Sequence, residues 1–171
     1  MNTLNDRKTL VSQVAEAMGK RVYNDGAENH KETAPRLELQ HESPKLVSLE
    51  DAIRRSGLRD GMTISFHHHF RGGDKVVNMV VAKLAEMGFK ELHLAASSLQ
   101  DVHAPLIEHI RNGVITQIST SGLRGELAKE ISHGLMAKPV IFRSHGARGA
   151  AIASGELHID VAFLGASSAD P

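Results

Sequence analysis

The chain has 171 residues, 41% of them hydrophobic, enough for one domain with a substantial core. Its 20 basic and 20 acidic residues cancel. No sustained Lys/Arg run offers the electrostatic footprint that nucleic acid or an anionic membrane surface needs, and 4% aromatics without Trp give no base-stacking platform. Cysteine is absent, which excludes disulfides, thiolate catalysis and Cys-type zinc sites.

The N-terminus, MNTLNDRKTLVSQ, has no apolar stretch of signal-peptide length, and nothing later approaches the roughly 18 uninterrupted apolar residues of a membrane span. A cytoplasmic protein is expected. In RKTLVSQVAEAMG, Leu10, Val11, Val14 and Met18 share one face of a helix that Gly19 is placed to end. Residues 24–45 are polar, carry Pro35 and Pro44 and show neither helical nor strand period, so residues 1–45 are expected to form a helix and an extended arm.

From Ser48 the pattern changes. In SLEDAIRRSG, Ser48 is the expected cap, Asp51 lies in the favourable first turn and Gly57 is the stop. Strand-like runs follow at 62–66, 91–96, 114–119, 139–142 and 159–164. Between them fall three helical stripes: Val76, Val77, Val80, Val81, Leu84 and Met87; Val102, Leu106, Ile107 and Ile110; and Leu123, Leu127 and Ile131. Parallel neighbours require crossover connections, so this alternation predicts an α/β domain over residues 46–171, a largely parallel sheet flanked by helices. The chain stops where a further crossover helix is expected, as the first half of a longer, two-domain polypeptide would.

Ligands of open parallel sheets gather outside the carboxyl ends of the strands, where loops meet helix N-termini. Those junctions read HHHFRGGD (67–74), SSLQD (97–101), STSGLRG (119–125), RSHGARG (143–149) and GASSAD (165–170). Their Gly, Ser, Arg and His residues offer amides, hydroxyls and cations to a carboxylate or phosphate. Alternate strand residues share a face, so His67 and His69 would stand about 7 Å apart at Cα with His68 pointing away. A metal would need a third ligand from another loop, with His145 the nearest candidate, and no HExxH spacing exists; no metal site is expected. A histidine of the triplet is expected instead to orient a carboxylate, donate to an oxyanion or relay a proton, with Gly72 and Gly73 allowing close backbone approach and Asp74 capping the next helix. Ser119, Thr120 or Ser121 is expected to cap the helix that follows, or to lend its hydroxyl and nearby amides to an anion. Arg143, His145 and Arg148 stand among small residues, and the two arginines either grip carboxylates or pair with Glu156 or Asp160. No nucleophile elbow, Walker loop or GxGxxG turn is present, and no carboxylate is assigned as nucleophile.

SFHHHFRGGDKVVN, TSGLRGELAKEISHG and PVIFRSHGARGAAIASGELHIDVAFLGASSADP, with the lead-in LEDAIRRSGLRDGMTISF, resemble the N-terminal portion of the alpha chain of bacterial citrate lyase, and the resemblance covers the chain from about Lys20 onward. Gly72 and Ala147 depart modestly from the family pattern, so the resemblance gives neither an individual role. It implies a coenzyme A transferase-like fold, shared with sugar-phosphate isomerases, and a citrate:acetyl-carrier transferase within the citrate lyase complex. Such a subunit exchanges the acetyl group of a carrier thioester for citrate. The resemblance implies no tightly bound cofactor in this chain: the acyl thioester rests on phosphoribosyl-dephospho-coenzyme A of a gamma carrier subunit, with acetyl coenzyme A as surrogate. Citrate, the beta subunit, the gamma subunit and an oligomeric complex are the implied partners. In direct exchange, His67, His68 and His69 are the candidate catalytic residues and, with the backbone amides of Gly72 and Gly73, would serve the site where the oxyanion develops; Arg143, His145 and Arg148 would hold citrate, and Ser119, Thr120 and Ser121 are further candidate substrate-binding residues. Because the family's second domain completes the active site, this half is expected to fold without turning over. The alternatives are a sugar-phosphate isomerase of the same broad fold and a non-catalytic subunit-docking domain.

Overall fold

The computed structural model describes residues 46–67 and 75–165. The predicted N-terminal helix and arm, His68, His69, Gly72, Gly73, Asp74 and the last six residues lie outside the described residues. Among the described residues, five strands form one wholly parallel sheet in the order β4-β3-β2-β1-β5.

Helix α1 (Leu49–Arg55) starts as the sequence requires: Ser48 Oγ accepts from the Asp51 amide at 3.0 Å and donates to its carboxylate at 2.8 Å. Gly57, at φ 72°, follows the Ser56 C-cap. The chain then enters β1 (Thr63–His67), crosses through α2 (Val76–Glu86) to β2 (Leu92–Ala96), passes a 3₁₀ turn (Asp101–His103) and α3 (Leu106–Arg111), and forms β3 (Ile115–Thr120). Helix α4 (Gly125–Ser132), β4 (Ile141–Phe142), α5 (His145–Ala153) and β5 (Val161–Leu164) complete it.

Ile64, Phe66, Leu92, Leu94, Ala96, Ile115 and Ile118 form the buried sheet face, packed with Val77, Val80, Val81 and Leu84 of α2, Leu106 and Ile110 of α3, and Leu127 of α4. Each fully buried aliphatic side chain contributes about 1.5–3 kcal/mol relative to exposure. The opposite face is different. Alternation turns Thr63, Ser65, His93, Ala95 and Ser119 towards it, and its apolar cluster is only Ala95, Ala151 and Leu157, with Ile159 packed alongside.

Several boundaries differ from expectation for local reasons. The stripe from Val102 to Ile110 is split, because Pro105 takes the N-cap position of α3 and leaves Val102 in the 3₁₀ turn. β4 begins two residues late, since Pro139 has no amide hydrogen to donate to a ladder. β5 also begins late: the Asp160 side chain accepts the Thr63 amide at 2.8 Å, substituting a carboxylate for a strand carbonyl. α2 takes Lys75, without a side-chain cap bond, as its N-cap.

Candidate functional site

At the carboxyl edge, the segments after β2 and β3 continue side by side beyond the strands. The Leu99 amide donates to Gly122 O at 2.8 Å, Ser121 N to Ser97 O at 3.2 Å, and Arg124 N to Leu99 O at 3.0 Å. This extended zipper overturns the expectation that Ser119, Thr120 or Ser121 caps α4. Residues 121–124 are held by residues 97–99, and Arg124 occupies the N-cap without a side-chain cap bond. The Thr120 hydroxyl instead closes its own turn, accepting from Gly122 N at 3.3 Å and donating to Gly122 O at 3.0 Å. Ser119 and Thr120 are buried, and Ser121 Oγ is a buried hydroxyl without a hydrogen-bond partner.

Gly125 follows at φ 71°, with the Asp101 side chain lying where a Cβ would be. Gln100, Asp101, Val102 and Arg124 line a cavity of about 220 Å³ beside this contact. A larger cavity, about 550 Å³, lies at the other end of the sheet and includes Gly61, Glu91, His93, Gln117 and Lys138 in its lining. The parallel sheet directs the chemistry to the carboxyl edge rather than to the larger space.

The segment 143–149, read from sequence as a strand-to-helix junction, is already helical from His145. Its Gly and Ala residues gave no apolar stripe, and Ser144 was the local start signal: its hydroxyl accepts from Ala147 N at 3.1 Å. The Arg143 amide donates to Thr120 O at 3.0 Å, fixing the start of α5 beside the end of β3. Arg143 Nη2 pairs with Glu156 at 2.6 Å, while its Nη1 is buried without a partner. His145 is exposed in the first turn. Arg148 is half-buried and points across the sheet, its Nη2 donating to Ser65 Oγ at 3.0 Å and to Ala95 O at 3.1 Å. His67 ends β1 exposed at the same edge.

Three polar residues of this face were not singled out from sequence: Thr63, Ser65 and His93. His93 Nε2 lies 2.8 Å from Ser119 Oγ, and Nδ1 lies 3.4 Å from Thr63 Oγ1. Burial first, then the positive charges of Arg143, Lys138 and Arg148, hold the His93 pKa below its ordinary value and favour the neutral ring. The signal was available in LHLAA, where His93 and Ala95 interrupt a strand whose other face is wholly apolar. Arg148 loses some of its basicity to burial, yet an arginine remains cationic at neutral pH. Toward the carboxyl edge itself lie Arg143, beside the end of β3, and Arg148, beside Ser65 and Ala95, with the exposed start of α5, an arrangement suited to a carboxylate ligand. Among the described residues no group of three or more His, Asp or Glu could hold a metal ion, and no helix is long and apolar enough to cross a membrane.

An open parallel sheet with helices on both faces and basic groups at its carboxyl edge defines an α/β domain of the coenzyme A transferase-like class. More narrowly, the chain belongs to the citrate lyase alpha subunit family, whose model (citrate lyase, alpha subunit, CitF) matches residues 43–171. It is 73% identical over 123 residues to the citrate lyase alpha chain of Klebsiella pneumoniae, covering 72% of this chain and 24% of that one. Its identity to the alpha chain of Escherichia coli K12 is 67% over 124 residues, with 72% and 24% covered. In three dimensions it is similar to a protein described as the alpha subunit of citrate lyase from Streptococcus mutans, solved in complex with citrate. The TM-score is 0.70 and the identity 55%, covering 72% of this chain and 25% of that one. The chain thus spans about a quarter of the length of the relatives it matches.

Proposed function

We propose that this domain supplies the citrate-facing half of an acyl exchange site. A citrate carboxylate oxygen attacks the thioester carbonyl of an acetylated carrier and displaces the thiolate, giving a citryl–acetyl anhydride; the thiolate then attacks the citryl carbonyl, forming the citryl–sulfur bond, and acetate leaves with the oxygen that came from citrate. The observation that carries this reading is the 55% identical relative that holds citrate, matched here by Arg143 and Arg148 beside the carboxyl ends of the strands. Exchange requires two anionic or polar groups to be brought together and the developing oxyanion to be stabilised. In this reading, the segment from Arg143 to Arg148, with Ser121, serves citrate, and His67, together with His68, His69, Gly72 and Gly73 that follow it in sequence, serves the thioester. Ser119 and Thr120 act from beneath, through His93 and the turn at Gly122. The carrier's phosphoribosyl-dephospho-coenzyme A arm, the gamma subunit that bears it, a beta subunit that cleaves the citryl product, an oligomeric complex and a cytoplasmic location belong to the same proposal.

The test is a thermal titration of the 171-residue chain with citrate and, separately, inorganic phosphate, beside an acetyl-to-citryl exchange assay with acetyl coenzyme A. Citrate at a hundred times its Kd stabilises a protein by about 2.7 kcal/mol, which for a chain of this size raises Tm by roughly 5–10 °C. Citrate protection is the expected result. Protection by phosphate without any response to citrate would overturn the reading in favour of a phosphate-ligand protein. Replacing Arg143 and Arg148 together by Ala should weaken citrate binding more than tenfold, and unchanged affinity would remove this segment from the site.

A further inference from the structure

Among the described α-helices, α5 is the one whose buried residue is no larger than alanine. Of its nine residues four are Ala and two are Gly, and Ala151 alone is buried. Ile152, its one large aliphatic residue, is 43% exposed. Interior glycines oppose helix formation, and a contact among Ala95, Ala151, Leu157 and Ile159 resists sliding far less than the interdigitated valines of α2. Apolar packing therefore leaves the position of α5 along the strands weakly defined.

Arg148 defines it. The guanidinium is half-buried, which is unfavourable unless its donors find acceptors. It reaches two adjacent strands at one level, because Ser65 of β1 and Ala95 of β2 are register partners. Both bonds come from Nη2, to the Ser65 hydroxyl and the Ala95 carbonyl. One helical turn before it stands His145, exposed in the first turn of the same helix. We propose that Arg148 is a positioning residue: by bonding Ser65 and Ala95 it fixes the setting of α5, and so places His145 at the carboxyl edge for the ligand. The ligand role of His145 rests on the function proposed above, whereas the attachment of α5 does not.

A carboxylate clamp and a positioning pin make opposite predictions for lysine. A clamp uses two guanidinium nitrogens in a planar fork, which an ammonium does not reproduce. A pin that works through one nitrogen is replaced by an ammonium, which has three donors. The test uses the 171-residue chain and the variants Arg148→Ala, Arg148→Lys and Ser65→Ala. Hydrogen exchange of the amides of α5 and α2, the NMR signals of the His145 ring and the citrate affinity are measured for each.

Arg148→Ala is expected to speed exchange in α5 at least tenfold, leave α2 unchanged and shift the His145 ring signals. Arg148→Lys should restore most of all three readouts, including citrate affinity, and Ser65→Ala should speed α5 exchange by a smaller factor that does not multiply with that of Arg148→Ala. Unchanged α5 exchange in Arg148→Ala overturns the proposal, as does a lysine variant with intact α5 protection but citrate affinity as poor as the alanine variant's. Should Arg148→Ala unfold, the uncharged Ser65→Ala change decides: no rise in α5 exchange refutes the pin. If wild-type protein ignores citrate while α5 responds as stated, the proposed function fails and the attachment stands.

Discussion

Gly125→Ala offers a sharp check on how the carboxyl edge is assembled. A methyl group at this position would sit 1.9 Å from Asp101 Oδ1, 2.9 Å from its Cγ and 3.0 Å from its Cα, and the residue has φ 71°. The left-handed conformation costs a non-glycine residue about 1–2 kcal/mol, and displacing a packed neighbour adds about 1–3 kcal/mol. The expected loss is therefore about 2–5 kcal/mol, a large share of the roughly 5–15 kcal/mol that stabilises an ordinary protein. Asp101→Ala by itself should cost under about 1 kcal/mol, because its side chain is exposed. In the double variant the carboxylate clash disappears while the left-handed φ and the crowding at Cα remain, so at least about 1 kcal/mol of the glycine effect should survive. Urea unfolding followed by far-ultraviolet circular dichroism measures all three. A loss below about 0.5 kcal/mol for Gly125→Ala, or its complete rescue by Asp101→Ala, would refute the argument.

Further outcomes follow from the two sheet faces. Leu94→Ala should destabilise by about 2–5 kcal/mol, since Leu94 is wholly buried in the main core; a urea-measured loss under about 1 kcal/mol would show that this face repacks freely. Glu156→Gln should change stability by less than about 1 kcal/mol, because the Arg143–Glu156 pair is exposed on its carboxylate side. The folded His93 pKa lies below the unfolded value near 6.5, so the unfolded chain binds more protons as the solution becomes acidic. Its contribution to stability is fully present above that unfolded value and is lost as pH falls through the folded one. His93→Gln should flatten the pH dependence of the urea midpoint below about pH 6.5. The burial-lowered His109 acts in the same direction, so the comparison is made in a His109→Gln background as well; an unchanged slope after His93→Gln in both backgrounds would dismiss His93 as its source.

Elements with large apolar surfaces were legible in the chain because their periods are imposed by burial. The stripe at Val77, Val80, Val81 and Leu84, and the alternating Leu92, Leu94 and Ala96, each specify a face without reference to the rest of the fold. Family motifs added the class of domain, which the sheet order and the relatives show. Helix α5 was not legible, since a run of Gly and Ala carries no stripe, and its site depends on Arg148 reaching residues 83 and 53 positions earlier. The same limit explains the serines after β3. Sequence supplies their capping chemistry, but Thr120 instead closes its own turn, and which amides remain for the others depends on the zipper with residues 97–99.

The sequence by itself determined the alternation of strands and helices, the apolar face of the sheet and the family to which the chain belongs. Tertiary structure alone decided that β5 returns beside β1, that α5 covers the polar face, and that Arg148, Ser65, His93 and Ser119 meet there. The physical reason is range: side-chain periodicity acts within one element, whereas hydrogen bonds and ion pairs between distant segments exist only once the sheet has brought their carriers together.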